Sequence, residues 1–424
     1  MIERTVYENG LKALTKTSKA NDIVAVGVLL RMGTRYETDE QAGLSDLTQH
    51  LLLKGTESRT AEELAVEMDS EGIRLSASSG PDFGAVALLT TSEHLGKGLE
   101  LLFDVLKKAS FAQDKVAQEK EMVVRRIRAR NDHLLSRAMD LLEETHFQSH
   151  PYHKPILGYP ETVARFDRGQ ILDFHRAHFV PNNLLFSAVG NFDKQTLLEQ
   201  IGAEWGELPS CPLPPSPEPA LPVHDAPEET FEERDNQAAW IAIGYDAPTL
   251  GSPDYAAMVV LDAILGGAMG SRLFTELREK RSLAYQVGSH YAAHPEASLY
   301  AMYIGTSEER FAEARDGVLD EVRKLCADRV SAEELETAKT YLKGTFVMGQ
   351  ERNAAQAALM AAYEFLGLGY GFLEEYPRQI EGVTREDVLR VAQTYFAGPH
   401  TLGAVRPRTG TAEEIVRNGV GEGT

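Results

Sequence analysis

The first cluster with residue types suited to chemistry is Asp46-Leu47-Thr48-Gln49-His50. Residues four apart share one face of a helix, so Asp46 and His50 could turn toward a single cation. A hydrolytic zinc site asks more of such a helix. It needs two neutral imidazoles to hold the metal and a carboxylate beside the second to take a proton from the bound water. Asp46 puts a carboxylate where an imidazole would stand, and Gln49 has no ionisable group and cannot act as a base at any pH. On local pattern alone the segment reads as an amphipathic helix with a polar outer face.

A second cluster, residues 265–285 (LGGAMGSRLFTELREKRSLAY), is a glycine-rich turn leading into a charged helix. No Gly-Lys-Ser/Thr follows the glycines and no ribose-reading acid is evident, so phosphate binding is set aside. Within it, Arg278 and Tyr285 are seven apart and form no pattern of their own. His150/His153 and His175/His178 have ligand-like spacing, but the first pair falls in a Pro-interrupted loop. The second precedes Phe179 on an amphipathic helix, where packing or surface is the expectation. Arg125, Arg126, Arg128 and Arg130 read as a solvated helix face.

The elements that must position these residues alternate helix and strand. Residues 23–32 and 83–91 read as strands from β-branched content and partial alternation. Residues 42–53, 61–70, 95–108 and a long stretch at 115–147 carry helical periodicity. Gly55 closes the first of these as a C-terminal cap. Beyond residue 227 the mixture repeats, with strands at 238–245 and 298–304 and helices at 254–265, 271–281 and 332–366. Eight of the 19 prolines fall between Pro209 and Pro227, a stretch that should be extended and semi-rigid. The segments before and after it end alike: a helical segment reaches His178-Phe179 or Tyr395-Phe396, a turn follows, and an apolar strand begins, with an offset of 217 residues. Internal duplication is the natural reading.

Composition narrows the function classes. At 424 residues, 43% hydrophobic and 25% charged, the chain is ordinary globular protein of two or three domains. The sum of 43 basic and 64 acidic residues is −21, which repels a nucleic-acid backbone or an anionic membrane. No apolar run approaches the ~20 residues that span a bilayer. Two cysteines, Cys211 and Cys326, make no disulfide framework. With no targeting signal visible, a cytoplasmic location is expected.

Residues 33–56, GTRYETDEQAGLSDLTQHLLLKGT, closely resemble the opening of the insulinase-like or pitrilysin-like (M16) zinc metallopeptidases, in their short bacterial form. In that family the stretch carries an inverted zinc motif, His-x-x-Glu-His, followed by an apolar run and Lys-Gly-Thr. Lys54-Gly55-Thr56 is present here, but Asp46 stands at the first histidine and Gln49 at the catalytic glutamate, so only His50 matches. The family's third ligand, a glutamate on a later helix, falls at Arg126, a permanent cation that offers only donors. Such a side chain could pair with Asp46 as a plug in a dismantled site. Glu119 matches another acidic position of the pattern. The His-Pro-Tyr segment at residue 150 and Phe-Val-Pro-Asn-Asn at 179–183 extend the likeness, and Leu265 to Tyr285 resembles the family's non-zinc halves. There Arg278 and Tyr285 match an arginine and tyrosine pair that binds the substrate backbone and stabilises the transition state, and Ser282 replaces a glycine.

The resemblance implies an α+β fold of two homologous domains, each a mixed, mainly antiparallel sheet with helices packed on one face. They would span residues 1–208 and 228–424, joined by a linker at 209–227, and the chain would form half of a clamshell dimer. It further implies the non-catalytic subunit of a heterodimeric peptidase, with no metal bound by this chain and zinc in a homologous partner subunit that carries the intact motif. A homodimer, a non-enzymatic peptide-binding or scaffold subunit, and an active homodimer with an unorthodox site at Asp46 and His50 are the alternatives. Peptides are the expected ligands, with neither nucleic acid nor membrane as a partner.

Overall fold

A computed structural model describes residues 1–408. The expected second domain runs to residue 424, and its last part lies outside the described residues. Eleven strands form two sheets. The first contains β1 (Glu3–Val6), β2 (Lys12–Thr17), β3 (Ile23–Leu30), β4 (Arg74–Ser79), β5 (Gly84–Thr91) and β6 (Leu184–Gly190), in the order β1-β2-β6-β3-β5-β4. The second contains β7 (Glu228–Arg234), β8 (Ala238–Ala247), β9 (Gln286–Ala292), β10 (Ser298–Ser307) and β11 (Thr401–Pro407), in the order β7-β11-β8-β10-β9. Each sheet is antiparallel except for one pair, β2 with β6 and β7 with β11.

The helices of the first half are α1 (Leu44–Leu51), α2 (Ala61–Ser70), α3 (Leu95–Lys107), α4 (Gln113–Asp132), α5 (Leu134–Phe147), α6 (Pro160–Arg165), α7 (Arg168–His178) and α8 (Lys194–Ile201). Those of the second half are α9 (Tyr255–Leu265), α10 (Phe311–Ala327), α11 (Ala332–Gly349), α12 (Asn353–Phe365), α13 (Phe372–Gly382) and α14 (Arg385–Tyr395). The offset of 217 relates α7 to α14 and β6 to β11 residue for residue.

Two long helices expected from periodicity are each broken. The segment at 115–147 divides at His133 into α4 and α5, and that at 332–366 divides after Gly349 into α11 and α12. The breaks let the halves exchange helices. Ala138, Leu141 and Leu142 of α5 pack on Ala242, Leu299, Ala301 and Val405 of the second sheet. Ala357, Met360 and Ala361 of α12 pack on Leu14, Ala25, Leu29, Leu185 and Val189 of the first. So each sheet has its own helices on one face and a single helix from the other half on the opposite face. Helix α5 comes so close that a Cβ on Gly403 of β11 would stand 2.4 Å from the Leu142 nitrogen, which only glycine avoids. Residues 209–224 run between the halves without regular structure.

Candidate functional site

Helix α1 buries Leu44, Leu47 and Leu51 in the first core, and this burial fixes which way its polar residues turn. Its N-terminus is set by Glu37, a fully buried carboxylate that accepts from the backbone N–H of Ser45 at 2.6 Å and of Gly43 at 3.1 Å. Burial pushes this carboxyl up to about 7, and the hydrogen bonds from Ser45 and Gly43 work against that rise. Sequence reading missed Glu37; its position just ahead of a glycine-led helix start was the available signal.

Four of the residues singled out in the sequence come together between α1 and α4. The Arg126 guanidinium donates from Nη1 to His50 Nε2 at 2.7 Å, and its Nη2 reaches Asp46 Oδ2 and Glu119 Oε1, each at 3.4 Å. His50 Nε2 also lies 3.5 Å from Asp46 Oδ1. Lys54, from the Lys-Gly-Thr ending, reaches Glu119 Oε2 at 3.2 Å. Asp46 and Glu119 are only 4% and 6% exposed, so their charges need these partners. Gln49 does not join the group. Its side chain turns into the core, with Nε2 on Met32 Sδ at 3.3 Å and Oε1 without a partner.

As a divalent-cation site this donor set does not fit. Two carboxylates face one guanidinium and one ammonium, so the formal charge is already balanced with His50 neutral. The imidazole lone pair that would bind metal is taken by a guanidinium N–H. Nor is there a base, since Gln49 cannot accept and hold a proton. The arrangement can pair charges and hold α4 against α1, but it cannot activate water.

The second cluster has the opposite character. Phe274–Lys280, expected as α-helix, is wound as a π-helix, the wider turn often found at functional sites. Arg278 is exposed, with its guanidinium carbon 4.8 Å from the centre of the Phe274 ring. Tyr285 is 68% exposed and stands at the start of β9, its N–H held by the Gly305 carbonyl at 2.9 Å. Among the described residues neither Arg278 nor the Tyr285 hydroxyl has a hydrogen-bonding side chain against it. Ser282 adopts φ +49° at the helix end, a left-handed conformation that glycine takes most readily and that agrees with the glycine the resemblance leads one to expect there.

The remaining candidates are structural. His175 Nε2 meets the Leu106 carbonyl at 2.9 Å and His178 Nδ1 the Phe174 carbonyl at 2.8 Å, both buried. Burial pushes the His175 imidazole down to about 4. His150 accepts from the Tyr152 N–H through Nδ1, and His153 donates to the His150 carbonyl, so these two rings do not face one centre. Arg130 forks onto the buried Asp140, Arg125 lies on Met122 and Arg128 is exposed, so the arginine run is not one solvated face.

A duplicated α+β unit with exchanged helices, a charge-paired helix α1 and an exposed Arg/Tyr segment defines a class, and the chain belongs to peptidase family M16. Residues 12–159 match the model of the insulinase family (peptidase family M16), and residues 165–342 match that of the peptidase M16 inactive domain. An uncharacterized zinc protease of Mycobacterium tuberculosis is 30% identical over 409 residues, spanning 95% of this chain and 93% of that protein. The crystal structure of a protease from Helicobacter pylori superposes with a TM-score of 0.91 at 25% identity, covering 96% of this chain and 99% of the other. A peptidase M16 inactive domain from Pseudomonas fluorescens shares the fold at a TM-score of 0.88 and 21% identity, covering 96% and 98%. Among the described residues no helix is long and apolar enough to cross a membrane.

Proposed function

We propose that this chain is the non-catalytic subunit of a two-chain cytoplasmic metallopeptidase, supplying Arg278 and Tyr285 to a site whose catalytic zinc and base come from a homologous partner subunit. The observation that carries this reading is the guanidinium of Arg126 seated 2.7 Å from His50 Nε2, which removes the zinc helix from service while the Arg/Tyr segment stays exposed. The two free cysteines suit a reducing compartment.

In this reading zinc held by the partner subunit would supply Lewis-acid chemistry, and Arg278 and Tyr285 of this chain stabilise the charge that develops on the scissile carbonyl oxygen. A guanidinium and a phenol O–H are preorganised donors, worth most where they meet a developing oxyanion away from bulk water. Tyr285 leads directly into β9, an edge strand of the second sheet. A sheet edge is where an extended peptide gains main-chain hydrogen bonds, and such pairing would hold the substrate backbone beside Arg278 and Tyr285.

Co-expression with a homologue that carries the intact zinc motif is the direct test. The pair is expected to cleave unstructured peptides while this chain alone does not. Equal activity of the pair with Arg278→Ala and Tyr285→Phe in place would sink the assignment.

A further inference from the structure

His146 ends α5, His224 lies in the segment between the halves, and Asp246 lies on β8. The structure brings one ligand atom from each within 4.8 Å of the others. His146 is 1% exposed, and its Nε2 has no hydrogen-bond partner. The reason lies on the other side of the ring. Thr401 Oγ1 lies 3.1 Å from His146 Nδ1 and 3.4 Å from the Gly244 carbonyl; with its hydrogen on the carbonyl it accepts from His146 Nδ1–H, the tautomer that presents the Nε2 lone pair to a cation. Nε2 faces Asp246 Oδ1 at 3.4 Å without making a hydrogen bond to it.

His224 faces acceptors on both sides. Its Nδ1 lies 3.2 Å from the Glu228 carboxylate, the outer-shell partner that metal-bound imidazoles commonly use. Its Nε2–H donates to the His146 carbonyl oxygen at 3.0 Å, so a cation bound at Nε2 would take the place of that proton. The two imidazoles stack, with centroids 4.9 Å apart and planes at 27°. The unpartnered His146 Nε2, the His224 ring and an Asp246 carboxylate oxygen thus converge, and burial keeps His146 neutral and able to ligate.

We propose that His146 Nε2, His224 Nε2 and an Asp246 carboxylate oxygen bind one first-row divalent cation of the zinc class, clipping the segment between the halves onto α5 and β8. Donors around a tetrahedral zinc stand roughly 3.3 Å apart, so the His146–Asp246 pair is already at ligand spacing and the His224 ring has only to tilt off the carbonyl. Asp246 is 58% exposed, which leaves an entry path and room for water in the fourth position. Tying α5 to the interdomain segment makes the ion a staple; no base stands ready to make it hydrolytic.

Equilibrium dialysis of the untagged chain against Zn²⁺, with Co²⁺ as a spectroscopic probe, tests this. One equivalent should bind, raise the melting temperature and give a Co²⁺ spectrum with nitrogen ligands. Asp246→Asn, at an exposed position, should weaken binding by about tenfold or more at unchanged circular dichroism and unchanged metal-free melting temperature, and His224→Ala should weaken it at least as much at unchanged circular dichroism. His50→Ala should leave binding intact. No saturable equivalent, or one that His50→Ala abolishes and His224→Ala does not, would overturn the proposal. Neither result bears on the role of Arg278 and Tyr285, which is read from cleavage by the two-chain assembly.

Discussion

In the first half, Arg126 spends its guanidinium on His50, Asp46 and Glu119, whereas in the second half Arg278 meets no carboxylate among the described residues and lies over the Phe274 ring. The same side chain thus takes two roles. Where buried carboxylates surround it, the charge is compensated internally and serves to hold helices together. Where it is exposed and no carboxylate meets it among the described residues, its donors remain open to solvent. The proposed function assigns binding to that second arginine, while the first is spent on pairing.

The sharpest way to break this comparison is to remove each arginine from the two-chain assembly. Arg278→Ala or Tyr285→Phe is expected to lower kcat/KM by about 10²–10³, the usual scale for losing an oxyanion donor. Arg126→Met in the same assembly should change kcat/KM by less than about threefold, since nothing at α1 handles substrate in the proposed mechanism. Peptide hydrolysis by purified pairs separates the two.

Acid should part α7 from α14. At the 217-residue offset, His175 and His178 of α7 correspond to Ala392 and Tyr395 of α14, so only the first half buries imidazoles there. His175 titrates at about 4 when folded against an ordinary 6.5. A depressed folded value means that the stability this group contributes is complete above 6.5 and is lost as pH falls from there toward 4. The loss is on the order of 3 kcal/mol over that window. The contrast is local to α7, because burial also depresses His146 against the second sheet and raises Glu37 beside α1; hydrogen exchange followed as pH is lowered should show α7 losing protection before α14. Simultaneous loss in both would count against the contrast.

Removing the plug tests the structural role of Arg126 by itself. Arg126→Met leaves Asp46 with His50 and Glu119 with Lys54, so the two carboxylates are weakened in pairing but not orphaned. About 1–2 kcal/mol of destabilisation is expected, tempered by the partial exposure of the guanidinium. Denaturant titration reads it. Asp46→Asn made together with Arg126→Met should recover part of the loss, and strict additivity would mean that the two side chains do not interact.

Much of this contrast was written in residue types. Asp46 and Arg126 offered a charge pair as one reading of the altered motif, a pairing that His50 joins and Gln49 does not, and Leu44, Leu47 and Leu51 announced the buried face of α1. The offset of 217 residues was visible in two aromatic positions, and it holds for whole elements. The helix exchange was not legible. Periodicity runs through His133 without a glycine or proline to punctuate it, only Gly349 marks the second break, and nothing local says that a helix buries its apolar face on a strand over 100 residues away. Gly403 held the clue, because a glycine within an apolar strand marks a close approach by another backbone. The convergence of His146, His224 and Asp246 was illegible for the same reason, since three separate elements supply one residue each.

Ser282 is the finest probe of the binding half. It follows the last helical residue with φ +49°, and the Leu283 N–H reaches back to the Leu277 carbonyl at 2.7 Å, the bond that closes a helix through a left-handed residue. A side chain in that conformation costs roughly 1–2 kcal/mol, while glycine adopts it freely but loses more entropy on folding. Ser282→Gly should therefore stabilise the chain by about 0.5–1 kcal/mol. Arg310 donates to the Ser282 carbonyl at 2.6 Å, a contact that the substitution preserves, so the path of the backbone between Arg278 and Tyr285 should not change. Thermal melting of the variant checks the gain, and unchanged cleavage by the two-chain assembly checks the path. A stabilised variant with lost activity would mean that the strained turn itself positions Tyr285, and would move Ser282 from a tolerated departure to a working part of the site.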